Sequence, residues 1–506
     1  MLGERTAPAS VPALTAEPDA PRISLVTLGC DKNTVDSERQ LARLLGAGAR
    51  LVDDVEHADV VVINTCGFID AAKEESVEAI LAAVRLKQAG SVSAVVAMGC
   101  LVQRYRAELE VEIPEVDLYI GLTEAEQLVP RLRARGVLPG VAESTMERPL
   151  RVLSTRTRHT SYLKISEGCD HGCAFCAIPL MRGKHRSTPV DALVREAQSL
   201  EQAGVVELNI ISQDTTWYGR DLLRGGAPPT GDLFVGRAFA GMPNALPEAP
   251  SARLHGTGTA GRRGLLPELL AALLEHTSLP WLRLFYMYPS GIARDLVELM
   301  AREPRIVPYL DMPIQHGADA VLARMRRPER QATIRERVAW LRAAIPDLSL
   351  RTTLIVGFPG ETEDDFEQLL ELLEEIRFDH LGAFPYSPEE GTPAATMADA
   401  VPDAVKRERL ERLLELQRSI TLERNERWVG RETTVLVDRL VGRASQAGMD
   451  TPRGAVGRTP GQALEIDGVV HLDGVHEAQP GMMVRARITD ALEDDLVGTI
   501  TGTVEH

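Results

Sequence analysis

The sequence predicts a multidomain α/β protein that ends in a small antiparallel β-barrel, and three observations carry that reading. Short apolar runs alternate with amphipathic stretches, first near the start of the chain and again through its middle. At 506 residues the chain exceeds what one hydrophobic core usually serves, so two to four domains are expected. Past Gly430 the helical period gives way to short strands separated by turn residues.

Residues 1–21 are rich in Ala and Pro, lack the continuous apolar stretch of a secretory signal, and read as a disordered tail. Residues 22–136 place amphipathic segments after RISLVTL, DVVVINT and SAVVAM, the pattern of a parallel α/β domain. A linker over 137–154 leads to a larger α/β region, 155–400, with strands YLKIS, VELNIIS, LRLFYM, LDMPI, LRTTLIVG and HLGAF. Strands spaced by helices at this repeat suit a barrel or partial barrel of the (β/α) type. Residues 221–264 show no period of two or 3.6 and read as a disordered surface insertion. Val405, Leu410, Leu413, Leu414 and Ile420 mark an amphipathic linker helix over 401–427. TTVLVDRL, ALEIDGVVHL and MMVRARITDA then outline the small barrel over 428–504.

Hydrophobic residues make up 44% of the chain and charged residues 25%, with no apolar run near the roughly 20 residues of a membrane span. With no export signal, the six cysteines are expected in the reducing cytoplasm, where thiols serve metals or catalysis more often than disulfides. The net charge of −17 disfavours a protein whose main task is gripping phosphate backbone, and a basic partner is more natural.

The strongest chemical signal is Cys169-Asp-His-Gly-Cys173-Ala-Phe-Cys176, directly after the strand YLKIS. Three thiolates on one loop can each take one iron of a cubane cluster and leave the fourth iron open to a ligand. Zinc would want a closed tetrahedron, which neither His171 nor His185 completes comfortably. Buried free thiols have no packing reason to share one loop. Cys30, Cys66 and Cys100 are spread along the chain, yet each ends an apolar strand beside a glycine, in VTLGC, INTCG and VAMGC. The carboxyl ends of parallel strands open on one edge, so these thiols can converge on a second cluster with an open iron. Gln213 and Asp214 end the strand VELNIIS at the barrel mouth, where catalytic side chains collect; a helix-capping turn is the alternative. Residues 350–361, LRTTLIVGFPGE, place Gly357 and Gly360 just past a strand, where backbone can approach a ligand or simply turn into a helix.

The spacing C-x₃-C-x₂-C, with Phe175 before the last cysteine, resembles the radical S-adenosylmethionine family. The resemblance implies a 4Fe-4S cluster whose open iron chelates S-adenosyl-L-methionine, with Phe175 near the adenine. It also implies a cofactor-binding stretch that includes Gly357, Gly360 and Glu361, and a 5′-deoxyadenosyl radical. Two three-cysteine sites, one in an N-terminal α/β domain and one in a radical barrel, resemble the methylthiotransferases, and the terminal barrel is similar to their TRAM domain. This likeness spans about residues 22–504 apart from the insertion. It implies two 4Fe-4S clusters, the second carrying sulfur, together with a sulfur source and an electron donor such as flavodoxin or ferredoxin.

Within that family, LGCDKNTVDSE (28–38), SEGCDHGCAFCAIPLMRGKHRS (166–187), SQDTTWYG (212–219) and LDMPIQH (310–316) resemble one branch in particular. That branch methylthiolates the β-carbon of an aspartate in small-subunit ribosomal protein 12. The other main branch modifies an adenosine of transfer RNA and normally carries Asn where Asp214 stands. YPSG at 288–291 and Phe285 depart from the pattern. Residues 431–506 hold seven Arg and no Lys against twelve Asp and Glu. An acidic barrel suits a basic ribosomal protein better than RNA, so neither a direct RNA substrate nor a membrane is expected.

Overall fold

Strands β3 (Val60–Thr65) and β4 (Ala94–Gly99) are largely apolar and buried at every position, as befits strands covered on both faces. They sit inside a five-stranded parallel sheet of order β2-β1-β3-β4-β5, with β1 at Arg22–Thr27, β2 at Arg50–Leu51 and β5 at Leu118–Gly121. Helices α1 (Asp31–Gly46), α2 (Asp70–Gln88), α3 (Cys100–Glu112) and α4 (Leu128–Ala134) accompany it. The two short edge strands, β2 and β5, add to the three strands expected from the sequence. In this computed structural model the described residues are 20–139, 149–154, 157–223, 264–442, 452–474 and 478–504. Nearly all of the expected tail, much of the linker and residues 224–263 of the expected insertion lie outside them.

The central region forms a six-stranded sheet of order β13-β12-β11-β10-β9-β6, parallel at every pairing. Its strands are β6 (Thr160–Lys164), β9 (Glu207–Ile211), β10 (Trp281–Leu284), β11 (Ile306–Asp311), β12 (Ser349–Val356) and β13 (His380–Pro385). A two-residue ladder, β7 (Ser166–Glu167) with β8 (Arg186–Ser187), brackets the loop of the Cys169 triad. Helices α5 (Ile178–Arg182), α6 (Val190–Gln202), α7 (Arg220–Leu223), α8 (Leu266–His276), α9 (Arg294–Arg302), α10 (Asp319–Arg324), α11 (Gln331–Ala344) and α12 (Glu363–Ile376) connect the strands. The sheet and several of these helices share one Leu-rich core. This is the partial barrel the strand–helix rhythm predicts. The expected insertion begins later than residue 221, because Asp221 in α7 accepts from Ser187 N at 2.8 Å and Ser187 Oγ at 2.6 Å.

Helix α13 (Asp403–Glu426) leads to a closed barrel, β14-β15-β16-β18-β17. Its strands are β14 (Glu432–Gly442), β15 (Pro452–Arg458), β16 (Val470–Asp473), β17 (Met483–Ala491) and β18 (Leu496–Thr503). The run ALEIDGVVHL supplies only β16. Its first half turns away to bury Ala463 and to place Asp467 2.8 Å from Tyr309 Oη of the central sheet.

Buried ion pairs hold the three units together. Arg458 of the barrel meets Glu207 of β9 at 2.6 Å, and Asp438 of the barrel meets His159 at 2.9 Å; Arg283 of the central sheet also holds Glu207, at 2.7 Å, and Arg458 also holds Asp438, at 2.8 Å. Arg151 of the expected linker is buried between Glu38 of α1 and Glu196 of α6, so this stretch is interface rather than tether. Among the described residues no helix is long and apolar enough to cross a membrane.

Candidate active site where two thiol triads face each other

Cys169, Cys173 and Cys176 occupy the loop between β7 and β8, each partly buried. Backbone bonds fix the loop: Cys169 N donates to Gly183 O at 3.0 Å, Ala174 N to Met325 O at 3.0 Å, and Ala394 N to Ala174 O at 2.8 Å. Burial pushes the Cys169 and Cys176 thiols up to about 12. As bare thiols they are therefore neutral, and a bound metal centre would reverse that by stabilising the thiolates.

In the N-terminal domain, Cys30 follows β1, Cys66 follows β3 and Cys100 opens α3 directly after β4. These strands are neighbours, and adjacent strands lie about 4.8 Å apart. The thiols therefore share one sheet edge: a side chain on Gly29 would stand 2.8 Å from Cys66 Sγ. Burial raises Cys66 and pushes Cys100 up to about 12. Among the described residues no three His, Cys, Asp or Glu side chains converge closely enough to share a single ion. A multi-iron cluster, in which each thiolate binds a different iron, does not require that convergence.

The two triads approach each other. Cys100 packs in one small cluster with Ala177 and Met181, and Ala177 directly follows Cys176.

Asp214 caps the turn Thr215–Trp217, accepting from Thr216 N at 2.9 Å and Thr216 Oγ1 at 2.6 Å. Its other oxygen meets His171 Nε2 of the cysteine loop at 2.6 Å. The capping turn therefore exists, and Asp214, fully buried, is placed to position the loop rather than to touch a substrate. Gln213 beside it has a buried Oε1 that no described residue bonds.

On the far side of the mouth, Phe175 packs against a buried cluster that includes Phe358 and Tyr386. The structure thus brings Phe175 to the turn that carries Gly357, Gly360 and Glu361, and holds that turn apart from Gln213 and Asp214, three strands away. Gly357 and Gly360 take φ of +72° and +76°, but the space a side chain would fill is occupied by Lys406 and Arg324 respectively. Glu361 accepts from Phe358 N at 3.0 Å and pairs with Arg409 of α13 at 2.8 Å. These three residues build the turn and its packing; Gly357 and Glu361 are buried, whereas Phe175 and Gly360 are partly open.

Sequence reasoning missed Asn33 and Arg182, both buried between the triads and joined at 2.7 Å. It also missed Tyr286, held at φ 57° with Lys32 Nζ 3.0 Å above its ring. The available signal was DKNTVDSERQ, a polar run that begins right after a candidate ligand. A cavity of about 230 Å³ lined by Arg342, Asp379, Arg424 and Arg427 lies elsewhere, at the amino ends of β12 and β13.

Three family models match the chain: Uncharacterized protein family UPF0004 over residues 22–121, the Radical SAM superfamily over 163–373, and the TRAM domain over 429–501. A protein of Anaeromyxobacter sp. (strain Fw109-5), named ribosomal protein uS12 methylthiotransferase RimO, is 45% identical over 483 residues, covering 95% of this chain and 93% of that one. The protein of the same name from Geobacter sulfurreducens is 40% identical over 485 residues, covering 95% of this chain and 98% of that one. Among solved structures, the radical S-adenosylmethionine methyltransferase TsrM from Kitasatospora setae matches with a TM-score of 0.50 at 12% identity, over 85% of this chain and 81% of that one. That is a likeness of fold. The parallel partial barrel, its cysteine loop and these matches define a radical S-adenosylmethionine methylthiotransferase. The chain belongs to the ribosomal protein uS12 methylthiotransferase RimO family.

Proposed function

We propose that the protein methylthiolates the β-carbon of an aspartate in ribosomal protein uS12, using S-adenosyl-L-methionine and two 4Fe-4S clusters. Cys169, Cys173 and Cys176 hold one cluster, and Cys30, Cys66 and Cys100 hold the other. The observation that carries this reading is the pair of separate three-thiol sites, brought close by a shared buried cluster that holds Cys100 with Ala177, the residue after Cys176. A closed electron-transfer cluster would use four cysteines, and six cysteines in two threes leave an open iron at each. When bound, the first cluster supplies the electron that cleaves S-adenosyl-L-methionine and the second supplies the place for the sulfur to be transferred.

The chain's own residues hold and shield these groups. Phe175 offers a partly buried ring near the first triad, and Gln213 Oε1 offers an acceptor for a polar group of cofactor or substrate. Asp214 keeps His171 and its loop in place. An electron donor of the flavodoxin or ferredoxin class and a sulfur source complete the reaction, which takes place in the cytoplasm with its substrate.

The test is a pair of triple variants purified anaerobically. Replacing Cys169, Cys173 and Cys176 with Ala should roughly halve the iron per chain and abolish 5′-deoxyadenosine formation. Replacing Cys30, Cys66 and Cys100 should also roughly halve the iron, spare 5′-deoxyadenosine, and stop methylthio product on uS12 by mass spectrometry. Product from the second variant would overturn the sulfur-carrying role of the N-terminal triad.

A further inference from the structure

We infer that Asn33 and Arg182 form a positioning bridge: it gathers the three cysteine segments of the N-terminal domain and ties their place to the loop of the radical-domain triad. The inference rests on the reading that Cys30, Cys66 and Cys100 hold a cluster.

Asn33 stands in the first turn of α1, three residues after Cys30, and is fully buried. Its Nδ2 donates to Leu28 O at 2.8 Å and to Thr65 O at 3.1 Å, carbonyls in the segments that lead to Cys30 and Cys66. Its Oδ1 lies 3.8 Å from Cys100 Sγ. One side chain therefore touches all three cysteine segments. Only a carboxamide offers two donors and an acceptor in that space, and a carboxylate could not serve the two carbonyls. Alanine would leave both carbonyls without this donor in a buried site, where an unmet acceptor is costly.

Arg182 holds the other end. Its Nη2 donates to Asn33 Oδ1 at 2.7 Å, and its Nη1 reaches Glu167 at 2.8 Å and Asp36 of α1 at 3.2 Å. Arg182 lies six residues after Cys176 and Glu167 two before Cys169, so the guanidinium spans both arms of the radical loop. Lys164 pairs with Asp36 and, at 2.7 Å, with Glu167. Two cations thus balance two carboxylates in a set of which only Glu167 is partly open to solvent. Such a set contributes little net stability compared with apolar packing and is better suited to fixing a register between parts. Here the parts are the two cluster loops. The planar fork of Arg can bond Asn33 and the carboxylates at once, which an ammonium cannot reproduce.

The experiment uses the full chain with Cys169, Cys173 and Cys176 replaced by Ala, so that the N-terminal site is the one cluster measured. Iron per chain, the electron paramagnetic resonance spectrum and the reduction potential are compared for this parent and for N33A, N33D, R182K and R182Q. N33A and N33D should lose at least half of the remaining iron. R182Q removes a positive charge beside an anionic cluster and should shift the potential negative, whereas R182K keeps the charge and should return it towards the parent. If R182Q does not fold, R182Q/E167Q restores the charge balance and should still lose iron through the missing bond to Asn33. Full iron with an unchanged spectrum in N33A, or one potential shared by parent, R182K and R182Q, would overturn the bridge. Adding C30A, C66A and C100A to the parent must remove the remaining iron. Iron that persists there defeats the cluster reading itself, a result distinct from failure of the bridge.

Discussion

His171 Nε2 lies 2.6 Å from Asp214 Oδ2, which fastens the middle of the radical cysteine loop to the end of β9. The imidazole also stacks on Tyr288, with centroids 4.0 Å apart and planes 4° from parallel, and Arg327 covers that phenol at 3.8 Å. The loop is thus pinned by a side chain between its first two cysteines.

Replacing Asp214 with Ala removes both the cap on Thr216 and the partner of His171. We expect the apo-protein to lose roughly 1–3 kcal/mol, the cost of a buried donor left unmet, together with iron from the radical site. Asn at 214 can still cap, so it should recover most of the stability. Thermal melting read beside iron content checks this; D214A with full iron would mean that the loop stands without the pair.

Two glycines of the same loop should answer differently to alanine. Gly168 has φ of +75°, and a side chain there would run into Gly183 O at 2.6 Å, the acceptor that receives Cys169 N. G168A should cost about 1–2 kcal/mol in the left-handed conformation alone and disturb the first cysteine of the loop. Gly172 has open space where a side chain would go. G172A should keep its iron. Iron per chain and 5′-deoxyadenosine yield for the two variants make the comparison, and equal loss in both would show that loop entropy, not the backbone of Gly168, is what matters.

The strands of the barrel and of the N-terminal sheet could be read from the sequence because buried parallel strands must be apolar along their length, and VVVINT or TTLIV leave little choice. The cysteines could be placed because parallel strand ends share an edge. Helix α1 was obscure for the opposite reason. Lys32, Asn33, Asp36, Glu38 and Arg39 look like a solvated face, yet all are buried: Lys164, Arg182 and Arg151 meet Asp36, Asn33 and Glu38, Glu196 pairs with Arg39, and Tyr286 lies beneath Lys32. Polar burial that depends on a partner more than a hundred residues away leaves no periodic trace in either segment. Likewise, β15 holds two glycines in seven residues and gives no β-propensity signal, and its place is set by pairing with β14.

The buried pairs that join the domains should make the apo-protein sensitive to acid. Burial alone would raise Glu207, but Arg458 and Arg283 more than offset it and hold its carboxyl below the ordinary 4.5. Burial is likewise outweighed at Glu196 by Arg39 and Arg151, and at Asp438 by His159 and Arg458. A folded pKa below the unfolded one means that the folded state binds fewer protons. The stabilisation is therefore complete above the unfolded value and is lost as the pH falls through the folded one. Melting temperature should hold from neutrality to about pH 5 and fall steeply below about 4.5. R458A, which leaves Glu207 and Asp438 short of a cation, should lose roughly 3–5 kcal/mol at neutral pH. A joint apolar replacement of the whole set, R458M/E207L/R283M, leaves no buried cation behind and should be milder and flatten the acid limb; an unchanged limb would assign the sensitivity elsewhere.

The terminal barrel carries more acidic than basic side chains. The expectation that its acids face a basic ribosomal protein has to exclude those the fold consumes. Asp438 and Asp467 are buried against the central domain, and Asp495 accepts from Val469 N at 2.8 Å and meets His471 at 2.9 Å. Asp490, Glu493 and Asp494 remain exposed around the β17–β18 turn. Reversing these three to Lys, with Asp495 left in place, should weaken binding of purified uS12 by about tenfold or more and leave 5′-deoxyadenosine formation unchanged, since the radical loop belongs to another domain. Raising the salt should weaken the wild-type complex and affect the reversed variant less, because screening removes the same attraction. Affinity indifferent to both changes would place the docking surface elsewhere. Tighter binding of the wild-type protein to transfer RNA than to uS12 would overturn the proposed substrate itself.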